Sequence, residues 1–127
     1  MMSLRRFASS VSHAIRGVVT VFRQEHSFRL QIVASVVVLF FAWYYPISSF
    51  ELIIVFLLIG FILALEMMNS VFERIVDAFK PRIHPIVREV KDIMAGTVLI
   101  LSITAFCIGI LIFGHHLLWS FSRLSLY

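Results

Sequence analysis

Three long segments of this sequence contain no Asp, Glu, Lys or Arg, and they limit the chain to a membrane fold. They cover residues 32–45, 52–65 and 93–122. A helix needs about 20 mainly apolar residues to cross the hydrocarbon core of a bilayer. With their flanks, the segments predict transmembrane helices at 28–46, 48–79 and 85–121, of which the second continues as a helix beyond the membrane to about residue 79. Hydrophobic residues make up 61% of the chain, whereas a soluble domain has about half. We therefore expect an all-α membrane protein with a single domain, 1–127.

The N-terminal segment 1–26 has a different pattern. It lacks a continuous apolar stretch, so it is not a signal peptide. Its apolar residues recur every three or four positions and share one face of a helix, with Arg, Ser and His on the other. These apolar residues are Leu4, Phe7, Val11, Ile15, Val18 and Phe22. The pattern predicts an amphipathic helix lying in the membrane surface.

Basic residues predict the orientation of the chain. Lys and Arg precede the first span and surround the second connection, the first connection has none, and the C-terminal end has only Arg123. Because Lys and Arg concentrate in cytoplasmic loops, the N-terminus is expected in the cytoplasm and the C-terminus outside. The basic residues are scattered and form no compact basic and aromatic surface, so we expect anionic lipid and nucleotide phosphates as partners, and no nucleic acid.

Acidic residues are aligned where the second span leaves the membrane. At about 100° per residue, Glu73 and Asp77 each lie within about 20° of Glu66, and the three carboxylates spread over about 16 Å of helix axis. Asn69 and Ser70 flank this row. A carboxylate at membrane depth is costly unless it is paired, protonated or bound to a cation. The row is therefore either a helix-packing seam held by Asn and Ser, or a divalent-metal and phosphate site.

The third span should begin beside these carboxylates. If the second and third spans are antiparallel, Asp77 lies near Arg88 and Glu73 at the height of Asp92. Lys91 then also comes level with the acidic row. Two small residues follow one turn later and would permit the close approach of a helix or a ligand; they are Ala95 and Gly96.

Such a set of side chains suits phosphoryl transfer, which needs positioned phosphates, cations and a base. Glu25 and Glu73 offer hard oxygen ligands to Mg²⁺, although Glu25 alone is also consistent with a solvated helix cap. Lys91 can bind a phosphate. Glu66 lies deepest, at the depth of the hydroxyl of a membrane lipid, which suits a general base. Two alternatives remain open: an ion-coupled transporter or channel subunit, and a non-catalytic membrane scaffold.

Three blocks of residues carry a resemblance to a known family. They are Glu25-x-x-Phe28-Arg29, then Glu66-x-x-Asn69-Ser70-x-x-Glu73-x-x-x-Asp77, then Lys91-Asp92. In this order, in a three-span chain of this length, they resemble the prokaryotic diacylglycerol kinase and undecaprenol kinase family. The chain departs from it at Val71 and Phe72, where relatives usually have Ala and Ile, and it lacks the asparagine common in undecaprenol kinases just before Phe28.

The resemblance implies a homotrimer in the bacterial cytoplasmic membrane, with active sites between subunits, that uses ATP and Mg²⁺ to phosphorylate a lipid hydroxyl. It implies Glu66 as catalytic base and Glu25 and Glu73 as metal ligands. The implied nucleotide-binding residues are Arg6, His13, Asn69, Asp77, Arg82, His84, Lys91 and Asp92. The implied lipid-binding residues are Phe28, Arg29, Ser70 and Ala95. The pairs His84-Pro85 and Ala95-Gly96 are more similar to the undecaprenol branch, so undecaprenol is favoured slightly over diacylglycerol.

Overall fold

The computed structural model describes residues 4–79 and 85–124, with side chains as far as residue 122. Within these ranges all regular structure is helical: α1 (Leu4–Gln24), α2 (His26–Tyr44), α3 (Ser49–Ala78) and α4 (Pro85–Leu124). The last three are long and apolar enough to cross a membrane. The predicted architecture, an amphipathic N-terminal helix followed by three spans, is confirmed. Each helix boundary lies within three residues of the range expected from sequence.

A single residue separates α1 from α2. Glu25 has an extended backbone, with φ −102° and ψ 117°, while its N–H still donates to the carbonyl of Val21 at 2.8 Å. The Arg29 guanidinium donates to the carbonyls of Phe22 and Arg23, at 3.2 and 3.0 Å. Carbonyls in the last turn of a helix have no partner within that helix. Arg29 therefore caps α1 and fixes the elbow between α1 and α2.

The first connection is short and ends in a capping box. The N–H of Tyr45 donates to the Phe41 carbonyl at 2.9 Å and closes α2. Ser48 then begins α3: its side chain accepts from the N–H of Glu51, whose carboxylate accepts from the N–H of Ser48. This reciprocal pair satisfies two amide groups that a helix start leaves unpaired, and it makes α2 and α3 an antiparallel hairpin.

Helix α3 lies at the centre of the chain and contacts α1, α2 and α4. Many span side chains are exposed, as expected for surfaces that meet lipid tails or another subunit. The apolar stripe of α1 is also exposed, with Phe7 and Ile15 each 58% accessible. Several of the few buried side chains lie where the elbow meets α3: Val21, Phe28, Glu66, Ser70 and Val76. The best-packed polar region of the chain therefore coincides with the acidic row.

Candidate active site

The deepest carboxylate of the acidic row points inward. Glu66 is 6% exposed, and its Oε2 accepts a hydrogen bond from the hydroxyl of Ser27 at 3.0 Å. Ser27 stands in the first turn of α2, so this contact joins the elbow to α3 across 39 residues of sequence. A buried carboxylate needs such a donor because desolvation without one is costly. Glu66 is therefore a buried acid held in one orientation.

Glu25 connects the elbow to the next turn of α3. Its Oε1 accepts from the hydroxyl of Ser70 at 2.9 Å and lies 3.6 Å from Nη2 of Arg74. The same Arg74 nitrogen donates to the side chain of Gln24 at 2.7 Å. Although Glu25 is the N-cap residue of α2, its side chain makes no capping hydrogen bond. Its carboxylate is directed toward α3, as a metal ligand near Glu73 requires.

Glu73 lies on α3 within the same stretch as these contacts. Its Oε1 accepts from the side-chain amide of Asn69 at 3.4 Å, and both side chains are half-buried. Glu25 contacts Ser70 and Arg74, which lie three residues before Glu73 and one residue after it. The carboxylate of Glu25 therefore lies against the same stretch of α3, residues 70–74, that carries Glu73.

The row ends at an ion pair between α3 and α4. Nζ of Lys91 lies 3.2 Å from Oδ1 of Asp77, with the two side chains 35% and 50% exposed. Lys91 does come level with the acidic row, as expected. The register estimate had put Arg88 beside Asp77, and the observed contact lies three residues further along α4. That offset is about one helical turn. Asp92 is exposed.

The donor set fits Mg²⁺. Carboxylates of Glu25 and Glu73, with the amide oxygen of Asn69, are hard ligands of the kind this ion prefers. Among residues 4–79 and 85–122, no three His, Cys, Asp or Glu side chains are grouped to hold a metal. Mg²⁺ commonly takes one or two carboxylates and fills its other positions with water and substrate phosphates. The residues therefore suit an ion that arrives with a nucleotide.

Several candidate residues lie away from Glu66 within this chain. Arg6 and His13 are exposed on α1, about 28 and 18 Å along its axis from Glu25. Their described contacts stay within α1: the Arg6 carbonyl accepts from Ser10, and His13 Nδ1 accepts from Arg16. Arg82 and His84 lie outside the described residues.

The residues implied to bind lipid differ in their packing and exposure. Phe28 is 2% exposed and packs in the elbow, while Arg29 is occupied with the α1 carbonyls. Ala95 is exposed, and a Cβ added to Gly96 would meet nothing within 4 Å. The close approach expected at these small residues is therefore not made by the described part of the same chain. Val71 is 52% exposed, so its extra bulk lies on an open side of α3.

Sequence analysis missed Ser27. Its signal was available in the α2–α3 hairpin, because a turn centred on Pro46 and Ile47 places Ser27 level with Glu66. Arg74 is predictable in the same way, because it lies one turn after Ser70 and on the side of α3 that faces the elbow.

Comparison with known proteins identifies the family of this chain. The profile of the family described as prokaryotic diacylglycerol kinase matches residues 12–113. The chain is also 36% identical, over 110 residues, to the undecaprenol kinase of Bacillus subtilis (strain 168), an alignment that covers 87% of this chain and 89% of the relative. Both matches favour a kinase over a transporter or a scaffold. The chain belongs to the prokaryotic diacylglycerol kinase family and is a multi-pass membrane lipid kinase.

Proposed function

We propose that this kinase transfers the γ-phosphoryl group of ATP to the hydroxyl of a membrane lipid alcohol, at the cytoplasmic face of a bacterial membrane. The observation that carries the proposal is the buried Glu66 carboxylate, held by Ser27 at the membrane end of a row that continues through Glu73 to the Asp77–Lys91 pair. The row runs from an apolar depth to an exposed, charged end. It thus matches a reaction between a lipid and a nucleotide.

Each part of the row has a role in this reaction. Glu66 accepts the proton of the lipid hydroxyl as the hydroxyl oxygen attacks the γ-phosphorus. The bond from the γ-phosphorus to the β,γ-bridging oxygen breaks, and ADP leaves. Lys91 neutralises phosphate charge, and Asn69 orients Glu73. Glu25 and Glu73 are the residues that would hold Mg²⁺, which would supply positive charge to the nucleotide phosphates when bound. Positioning and charge neutralisation supply most of the rate enhancement in phosphoryl transfer.

The acceptor that we favour is undecaprenol, with diacylglycerol as the second candidate. The sequence pairs His84-Pro85 and Ala95-Gly96 favour it, and the B. subtilis relative is described as an undecaprenol kinase. Both alcohols would place their hydroxyl at the depth of Glu66. Selectivity between them must therefore depend on how the protein contacts their hydrocarbon tails.

We further propose that the active site is completed by a neighbouring subunit of a homotrimer. Asp92 and Ala95 are exposed on α4, and Arg6 and His13 lie far along α1 from Glu25. These residues can serve one reaction only if another copy of the chain brings them to the row. The exposed apolar faces of the spans provide surface for such an assembly. The mass of the detergent-solubilised complex, measured by sedimentation, tests the trimer.

The experiment that tests the activity is a competition between acceptors. Purified full-length protein in vesicles receives radiolabelled ATP, Mg²⁺ and equal amounts of undecaprenol and diacylglycerol, and the products are identified by mass spectrometry. We expect phosphorylated undecaprenol to dominate. A preference for diacylglycerol would overturn the acceptor assignment alone, whereas a folded protein that labels neither alcohol would contradict the proposed reaction.

Magnesium use has its own test. Glu73→Gln keeps the side-chain shape and an oxygen ligand but removes the charge, so the Mg²⁺ concentration for half-maximal activity should rise at least tenfold. Glu89→Gln is a suitable control, because Glu89 is an exposed acid in the leading turns of α4 with no proposed role. Equal Mg²⁺ dependence in both variants would remove Glu73 from the metal site.

A further inference from the structure

We propose that Ser27 is a positioning residue for Glu66: its hydroxyl fixes the carboxylate so that Oε1 faces the lipid alcohol. This inference rests on the proposed function, because it assumes that Glu66 is the base. It adds a residue on α2 to a reaction otherwise assigned to α3 and α4. It also means that the elbow between α1 and α2 contributes to catalysis by holding Ser27 in position.

The first step concerns the freedom of the Glu66 side chain. The terminal torsion of a glutamate is soft, and its carboxylate plane rotates over a broad range. A hydrogen bond to one oxygen removes that freedom. Ser27 donates its only hydroxyl proton to Oε2 at 3.0 Å. No described residue donates to Oε1, so Oε1 is the oxygen without a protein donor and the one that takes the proton of the substrate.

The second step concerns the rigidity of Ser27 itself. A donor helps catalysis when its own position is fixed before the substrate arrives. Ser27 lies between Glu25, which is tied to Ser70 and Arg74, and Phe28, which is 2% exposed. Both neighbours are held against α3 or packed in the elbow. The backbone at Ser27 is therefore held in place, and the position of its hydroxyl beside Glu66 is fixed.

The third step concerns access. Ser27 is exposed within the chain, whereas Glu66 is buried. The residue that holds the buried carboxylate therefore borders the surface of the chain, which is the side from which a lipid alcohol would approach. A donor in that place sets the direction from which the substrate meets Oε1, in addition to holding Oε2.

A purely structural hydrogen bond would give a different result on mutation. Its loss would leave a buried carboxylate without its donor and lower Tm, while kcat per folded protein would stay near wild type, because unfolding lowers the apparent kcat only through the number of active sites. Loss of a positioning contact lowers kcat while ATP binding is retained. Misplacement of a catalytic group by about 1 Å can reduce the rate by about 100-fold.

The test compares Ser27→Ala, Ser27→Thr and wild type as full-length proteins in vesicles, with kcat, both KM values and Tm measured for each. For Ser27→Ala we expect kcat to fall about 10- to 100-fold, with the KM for ATP within about twofold of wild type. Ser27→Thr keeps a hydroxyl and should recover most of kcat. If Ser27→Ala does not fold, Ser27→Cys, with its weak donor, replaces it and should still lower kcat.

Ser35→Ala is the matched control. Ser35 lies two turns further along α2, and its hydroxyl donates to the carbonyl of Gln31 within the same helix, at 2.7 Å. Removing it should leave kcat unchanged. Wild-type kcat in Ser27→Ala or Ser27→Cys, or a Ser27→Thr protein that folds and is as slow as Ser27→Ala, would overturn the role of Ser27 alone. An inactive wild type, or an active Glu66→Gln, would overturn the proposed reaction and this inference with it.

Discussion

The hydroxyl of Ser70 donates a hydrogen bond to Glu25 over 2.9 Å, and Ser70 is 1% exposed. This contact joins the elbow between α1 and α2 to α3. Arg74 approaches the same carboxylate oxygen at 3.6 Å. The elbow is thus held by polar contacts as well as by Phe28, and changes in these contacts should alter both stability and activity.

Ser70→Ala removes the buried donor to Glu25. We expect the free energy of unfolding to fall by about 1–3 kcal/mol, because the hydrogen bond reaches a charged acceptor. Reversible unfolding in mixed detergent micelles measures the change. Thr104→Ala serves as a control, since Thr104 is exposed and bonds only to the Ile100 carbonyl of its own helix. An equal, small loss in both variants would show that the Ser70 contact contributes little.

Exchange of the two charges of the Asp77–Lys91 pair distinguishes an effect on stability from an effect on nucleotide binding. Both side chains are at least one-third exposed, and a pair of this kind contributes about 0–1 kcal/mol. Lys91→Asp combined with Asp77→Lys keeps one charge of each sign, so Tm should stay near that of wild type. The lysine then lies on α3, and we expect the KM for ATP to rise at least tenfold. Recovery of wild-type KM in the exchanged protein would mean that Lys91 acts only through Asp77.

Mutation of Arg29 should change the dynamics of α1. Arg29→Met retains the length of the side chain but removes both bonds to the carbonyls of Phe22 and Arg23. The last turn of α1 should open more often, and hydrogen exchange of its amides should be about tenfold faster, which corresponds to about 1.4 kcal/mol. Arg5→Met, on the exposed start of α1, is the control. Unchanged exchange at the elbow in Arg29→Met would show that other contacts hold it.

The helices and their order were predictable because each was encoded locally. Uncharged apolar runs define the three spans, and the amphipathic repeat defines α1. Helical spacing also puts Glu66 on one face with Glu73 and Asp77, but it does not give the direction in which that face points.

The contacts between helices were less predictable. The pairing of Lys91 with Asp77 differed from the register estimate by about one turn, because the geometry of the second connection is not encoded by a simple repeat. The Ser27–Glu66 contact follows only once the α2–α3 turn is centred on Pro46 and Ile47, because the apolar pattern of the spans does not by itself fix which residues lie level. Arg29 was assigned to lipid from a resemblance, whereas the unpaired carbonyls of α1 offered it a nearer partner.

The most direct measurement of the central claim is a rapid-quench, single-turnover assay of Glu66→Gln against wild type, with undecaprenol as acceptor and saturating MgATP. Glutamine keeps the shape of the side chain and can still accept from Ser27, but it cannot take a proton from the alcohol. We expect the rate of the chemical step to fall by about 10²- to 10⁴-fold, the usual contribution of a general base, with ATP binding preserved. A chemical step within about threefold of wild type would contradict the assignment of Glu66 as the base that activates the lipid hydroxyl.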